Sequence, residues 1–200
     1  MPNFEAIGDV SRTLETLLTN QLATLAPPTP APTAQLHDLV VPPSGSPPVL
    51  TLFLYDIAED GSARNRPPSR TPVQIAGQQR ITIAKPPVAL VLRYMMTAWA
   101  GNRLSEHRII GRVIQSLYDF TTLTGPQLLG SLANTREALK LTLSPIALEE
   151  RAQVWEAIRQ TYRLSVNYEV RVVHIDSELS TDVPAVVEQV VQPALAKVVA

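Results

Sequence analysis

Residues 88–120, VALVLRYMMTAWAGNRLSEHRIIGRVIQSLYDF, set the frame for the rest of the chain. Val88, Ala89, Leu90, Val91 and Leu92 form an apolar run behind Pro86 and Pro87, with the length and character of a strand covered on both faces. After a turn at Gly101 and Asn102, Ile109, Ile110, Val113, Ile114, Leu117 and Phe120 recur at intervals of three and four, which places them on one face of a helix. That face must be buried, and the nearest candidate surface is the sheet that holds the preceding strand. The expected class is therefore a mixed α and β domain.

The flanking segments extend the same pattern. Phe4, Ile7, Val10, Leu14, Leu17, Leu18, Leu22 and Leu25 follow helical spacing, with Asn3 as the expected N-cap and Pro27 as the stop. A short strand is expected over residues 36–41, and VLTLFLYDI at 49–57 reads as a central strand rich in β-branched and aromatic residues. Residues 79–84 read as a further strand, for which a hairpin with 88–99 is the natural pairing. ALKLTL at 138–143 alternates as a half-buried strand should, a short helix is expected over 146–160, and 162–175 alternates again as the last clear strand. Asn167, Glu169 and Arg171 fall on its wet or interface side.

Proline is the compositional outlier, 18 of 200 residues, about twice the ordinary share. The prolines cluster between the expected elements and stiffen the connections, including a linker over 26–34. Residues 1–176 read as one domain of a size that supports a sizeable core, followed by a distinct segment over 177–200. That last segment carries Val183, Val186, Val187, Val190 and Val191, too many β-branched residues for a free polar tail. An arm that pairs with a neighbouring subunit and an element that returns to its own domain fit it equally well.

Several chemistries find no support. With 17 basic and 18 acidic residues there is no global attraction to nucleic acid or to an anionic membrane, and no cysteine is present for thiolate or disulfide chemistry. His37, His107 and His174 lie in separate elements without partners at metal-ligand spacing, so no metal site is expected. Phosphate-cradling and serine-nucleophile motifs are absent, and no cofactor is expected. Glu106 and His107 read as helix-start residues, and Trp99 and Trp155 as core anchors. The opening, MPNFEAIGDVSR, has neither a basic start nor an apolar core, so synthesis in the cytoplasm without a signal peptide is expected, and no stretch suits membrane insertion. Residues 58–72 read as a long polar loop in which Arg64, Asn65, Arg66 and Arg70 are the best partner-contacting candidates, or else a solvated surface. A non-enzymatic structural or binding role follows.

Four segments then point further: VLTLFLYDIAEDGSARN at 49–65, PPVALVLRYMMTAWA at 86–100, EHRIIGRVIQSLYDF at 106–120, and LSPIALEERAQVWEAI with YRLSVNYEVRVVHID at 143–176. Together they resemble the cap, or tail-terminator, proteins of extracellular contractile injection systems, the phage-tail-like particles of the antifeeding-prophage and virulence-cassette type. The resemblance implies an α+β fold, a mostly antiparallel sheet with helices packed on it. Tyr55, Leu92, Tyr94, Trp99, Gly111, Trp155 and Tyr168 would be fold-keeping positions. It also implies a homo-oligomer, a hexameric ring, that binds the inner tube protein and the sheath protein and ends both at the side distal to the baseplate. The particle would be released or cell-anchored. The Val-rich segment is the expected arm for the sheath contact. A separate reading, a small-molecule or nucleotide-binding accessory domain using the arginines of 58–72, predicts anion binding by Arg64, Arg66 or Arg70.

Overall fold

A computed structural model describes residues 3–75 and 78–184 of the chain. In chain order the elements are α1 (Ala6–Leu22), β1 (Thr33–Leu36), β2 (Val49–Glu59), β3 (Ser69–Ile75), β4 (Gln78–Ala84), β5 (Val88–Trp99), α2 (Arg103–Asp119), β6 (Thr122–Thr124), β7 (Ala138–Leu143), α3 (Leu148–Ala157), β8 (Ser165–Ile175) and β9 (Ser180–Pro184). They belong to two compact units, one of residues 1–65 and 87–176, the other of residues 66–86 and 177–200. The class is the expected one, α+β with a mostly antiparallel sheet and helices packed on it.

The first unit is built on a six-stranded sheet in the order β1-β2-β5-β8-β7-β6, in which only the β1–β2 pair is parallel. The organising stretch behaves as its periodicity demands. β5 lies between β2 and β8, and α2 begins where Asn102 Oδ1 accepts the Ser105 N–H at 2.9 Å. Val10, Leu14, Leu18 and Leu22 of α1 recur every four residues and meet Ile109, Val113 and Leu117 of α2 over Leu50, Leu52, Tyr94, Met96 and Val170 of the sheet. Each fully buried leucine there contributes about 1.5–3 kcal/mol relative to exposure. The alternate residues Val49, Met95 and Trp99 point to the opposite face, where Leu39 and Trp155 of α3 close a smaller second core. Both tryptophans are thus core anchors.

The structure revises several expectations. The first strand is Thr33–Leu36, not 36–41, and Leu39 turns into the second core with φ +61. The hairpin expected between 79–84 and 88–99 does not form, because β5 takes β2 and β8 as partners while β4 takes β3 and β9. Periodicity marks a strand without naming its neighbour. Residues 58–72 are not one loop: β2 runs to Glu59, a turn follows, and β3 starts at Ser69 with Pro72 inside it. As an edge strand of its sheet, β3 tolerates the missing N–H. Gly111, expected as a fold-keeping position, is exposed, and a Cβ added there would meet nothing within 4 Å.

The two edges of the large sheet differ. Along β1, the Ala34 N–H donates to Thr19 Oγ1 and the Leu36 N–H to Glu15 Oε1, each at 3.1 Å. Side chains of α1 therefore occupy the donors that would otherwise recruit another strand. On the far side, β6 covers β7 only as far as Lys140, with one more bond from the Leu141 N–H to the Thr121 carbonyl.

Candidate partner interface

The second unit holds the sheet β3-β4-β9, antiparallel throughout. Its register places Pro72 and Val183 beside Ile81, and Arg70 and Thr181 beside Ile83. Residues opposite one another in an antiparallel pair project to the same side, so Arg70, Pro72, Ile81, Ile83 and Val183 share one face. The other face is pinned by Asp182, which accepts the Thr82 hydroxyl at 2.6 Å and whose carbonyl accepts the Arg80 guanidinium at 3.3 Å. No side chain described in this sheet is buried. Among the described residues this three-stranded sheet buries no core of its own, and a face that joins Pro72, Ile81, Ile83 and Val183 with Arg70 and Thr181 suits contact with another protein.

Of the nine interface candidates read from the sequence, two, Arg70 and Val183, meet on that face although 113 positions separate them. Arg64 belongs to the first unit, where it sits in the turn after β2 and pairs with Glu59 at 3.1 Å, and Asn65 is exposed in the same turn. Arg66 is exposed at the start of the second unit. Val186, Val187, Val190 and Val191 lie outside the described residues. Arg64 thus lies in a turn, Arg66 in the irregular link after it and Arg70 in a strand, so the single loop assumed by the anion-binding reading is not formed. Ile81 and Ile83, which share that face, are not among the candidates read from the sequence. Their alternation with Arg80 and Thr82 was legible as a strand, but only the register with β9 shows which side they share with Val183.

A polar strip crosses the second face of the large sheet. Arg93 of β5 pairs with Asp56 of β2 and, at 3.0 Å, with Glu169 of β8, which Arg171 also contacts at 2.9 Å. Burial works to raise the Glu169 pKa, but the hydrogen bonds from Arg171 and Arg93 outweigh it and hold the carboxyl below its ordinary value. Hydrogen bonding to Glu169 likewise raises Arg93 against the opposing effect of burial. Opposite charges are matched across three strands, an arrangement that braces the sheet.

Glu106 is a further cross-link. Its carboxylate, 9% exposed, accepts Arg163 at 2.6 Å and Arg103 at 2.8 Å, and the Arg163 guanidinium lies 4.2 Å from the centre of the Trp99 ring. The helix-start residue read from the sequence is also what ties α2 to the segment entering β8.

The sequence profile of the Pvc16 N-terminal domain family matches residues 9–189. No curated protein matches the chain. Among solved structures, the sheath/tube terminator of an extracellular contractile injection system (PVC) in its extended state is similar, with a TM-score of 0.60 and 23% identity over 95% of this chain. The tube-terminating cap of the anti-feeding prophage is similar with a TM-score of 0.55 and 18% identity over 96% of this chain. The chain spans 65% and 62% of the lengths of those two proteins. At these identities the likeness is one of fold.

Proposed function

The chain belongs to the Pvc16 N-terminal domain family, and on that premise we propose that it is a structural cap subunit that ends the tube and sheath of a contractile injection system distal to the baseplate. The membership bears out the resemblance to cap and tail-terminator proteins read from the four sequence segments. The single observation that carries the proposal is the family match over residues 9–189, to which the β3-β4-β9 sheet, without a buried side chain among the described residues, gives a physical complement.

The mechanism is one of surfaces. Tube and sheath are open polymers whose head-to-tail interface repeats without limit. A ring of copies, a hexamer in this reading, that matches the last tube and sheath layer on one side and offers no copy of their interface on the other stops growth. The face of Arg70, Pro72, Ile81, Ile83 and Val183 is the proposed contact, because burying it supplies apolar cover that the described residues of the small sheet do not supply themselves. No catalytic step is required, and the subunit works as part of a phage-tail-like particle.

The test is electron microscopy of particles from cells with and without the gene. Deletion is expected to scatter particle lengths or leave ragged distal ends, and added protein to restore a defined end. Unchanged lengths and ends in the deletion would overturn the reading.

A further inference from the structure

The helix-bearing face of the first unit ends in an apolar groove of about 360 Å³, lined by Ile114, Leu117 and Tyr118 of α2 and by Leu141, Leu143 and Tyr168 of the sheet. Tyr118 on the helix wall is 79% exposed and Leu143 on the sheet wall 50%, so both walls present a large apolar side chain. The groove is open because β6 stops short. The Leu141 N–H still reaches the Thr121 carbonyl, whereas the Leu143 N–H, which points the same way two residues later, lies past the end of β6. Since α1 side chains block the β1 edge, this is, among the described residues, the end of the large sheet left able to receive another chain. One charged residue lines the groove, Lys140, which makes no ion pair among the described residues.

We propose that this groove receives residues 185–191 of a second copy of the chain, with Glu188 meeting Lys140. The complement is in the sequence itself: AVVEQVV places Val186, Val187, Val190 and Val191 around Glu188, the only acidic residue between 185 and 200. An apolar segment with one central carboxylate matches an apolar groove with one amine at its rim. Groove and segment are different surfaces, so the contact runs from each copy to the next and closes when the copies form a ring. The inference rests on the proposed ring and adds its intersubunit bond.

Because the chain has no cysteine, engineered disulfides report the contact without background. Full-length Leu143→Cys protein is mixed with full-length Val191→Cys protein under mild oxidation, both in solution and in assembled particles, because residue 191 stands three beyond Glu188 as Leu143 stands three beyond Lys140. Linked pairs are expected in the mixture, and a ladder of linked copies in the Leu143→Cys, Val191→Cys double variant. A double variant that yields only internally linked monomer, or no linkage in either setting, overturns the proposal. Lys140→Glu or Glu188→Lys alone is expected to lower the yield of linked pairs by about tenfold, as loss of one ion pair and gain of a repulsion would. Combining the two restores it, whereas failure to restore also overturns the proposal. Circular dichroism separates these outcomes from misfolding, since Lys140 and Leu143 are exposed. Particle length does not enter this readout, so failure of the groove contact and failure of the terminator reading are distinguishable.

Discussion

Gly130→Ala tests how the first helix is held. Gly130 opens a short 3-10 turn, Gly130–Leu132, with φ +61, and a Cβ built there would lie 2.1 Å from Asp9 Oδ1. Asp9 is 6% exposed, and its Oδ2 accepts the Ser131 N–H at 2.7 Å. One turn along the helix, Thr13 Oγ1 accepts the Leu129 N–H at 3.2 Å. These two bonds fasten α1 to a turn that carries Leu128 and Leu132 into the core. An alanine adds about 1–2 kcal/mol for the left-handed backbone. Displacing the Asp9 carboxylate forfeits a charge-assisted hydrogen bond to a buried group, about 1.5–3 kcal/mol. The sum is about 2.5–5 kcal/mol, which for a chain of this size lowers Tm by roughly 5–20 °C. Thermal unfolding followed by circular dichroism reads it. The double variant Asp9→Ala, Gly130→Ala removes the atoms in the way, so its loss is expected to be smaller than the sum of the two single losses. A Gly130→Ala protein that melts within 2 °C of the parent (under about 1 kcal/mol), or a strictly additive double variant, would refute the reasoning.

Glu106→Gln is expected to cost about 2 kcal/mol in urea unfolding, because a buried carboxylate shared by two arginines loses its charge, and Arg163→Met should give a comparable loss. Glu169 has a folded pKa below its unfolded value, so its stabilisation is complete above the unfolded carboxylate range, about 4.3, and disappears as pH falls through the lower folded value. Glu169→Gln should accordingly flatten the acid limb of a stability-against-pH curve. Burial, partly offset by the hydrogen bond to Ser11, pushes Tyr94 up to about 12. The unfolded phenol ionises near 10, so stability is full below that pH and declines as pH rises toward the folded value. Tyr94→Phe is expected to remove this alkaline decline while costing about 1 kcal/mol at neutral pH through the lost 2.7 Å bond to Ser11.

The long periodic elements were legible because burial leaves a strong mark on sequence. α1, α2, β2, β5 and β8 all carry their core-facing residues at regular intervals, and each lies within a few residues of its expected span. What periodicity does not carry is pairing. Nothing local to 78–84 indicates that its partners are Ser69–Ile75 and, about a hundred residues on, Ser180–Pro184. SRTPVQI itself reads as a loop because its polar residues and Pro72 match the edge of an exposed sheet better than a core. The register shifts at Leu54/Asp56 and Leu90/Leu92 are equally silent, and the first of them brings Asp56 opposite Arg93. For the interface, residue chemistry singled out Arg70 and Val183, but their common face depends on long-range register. Arg64 was singled out by the same chemistry and instead pairs locally with Glu59.

Cryo-electron microscopy of the distal end of intact particles tests the central claim most directly. The account predicts a ring of this chain seated on the last tube and sheath layer, with Arg70, Ile81, Ile83 and Val183 buried against a neighbouring protein. Particles whose distal end lacks this chain, or in which that face stays exposed to solvent, would contradict it.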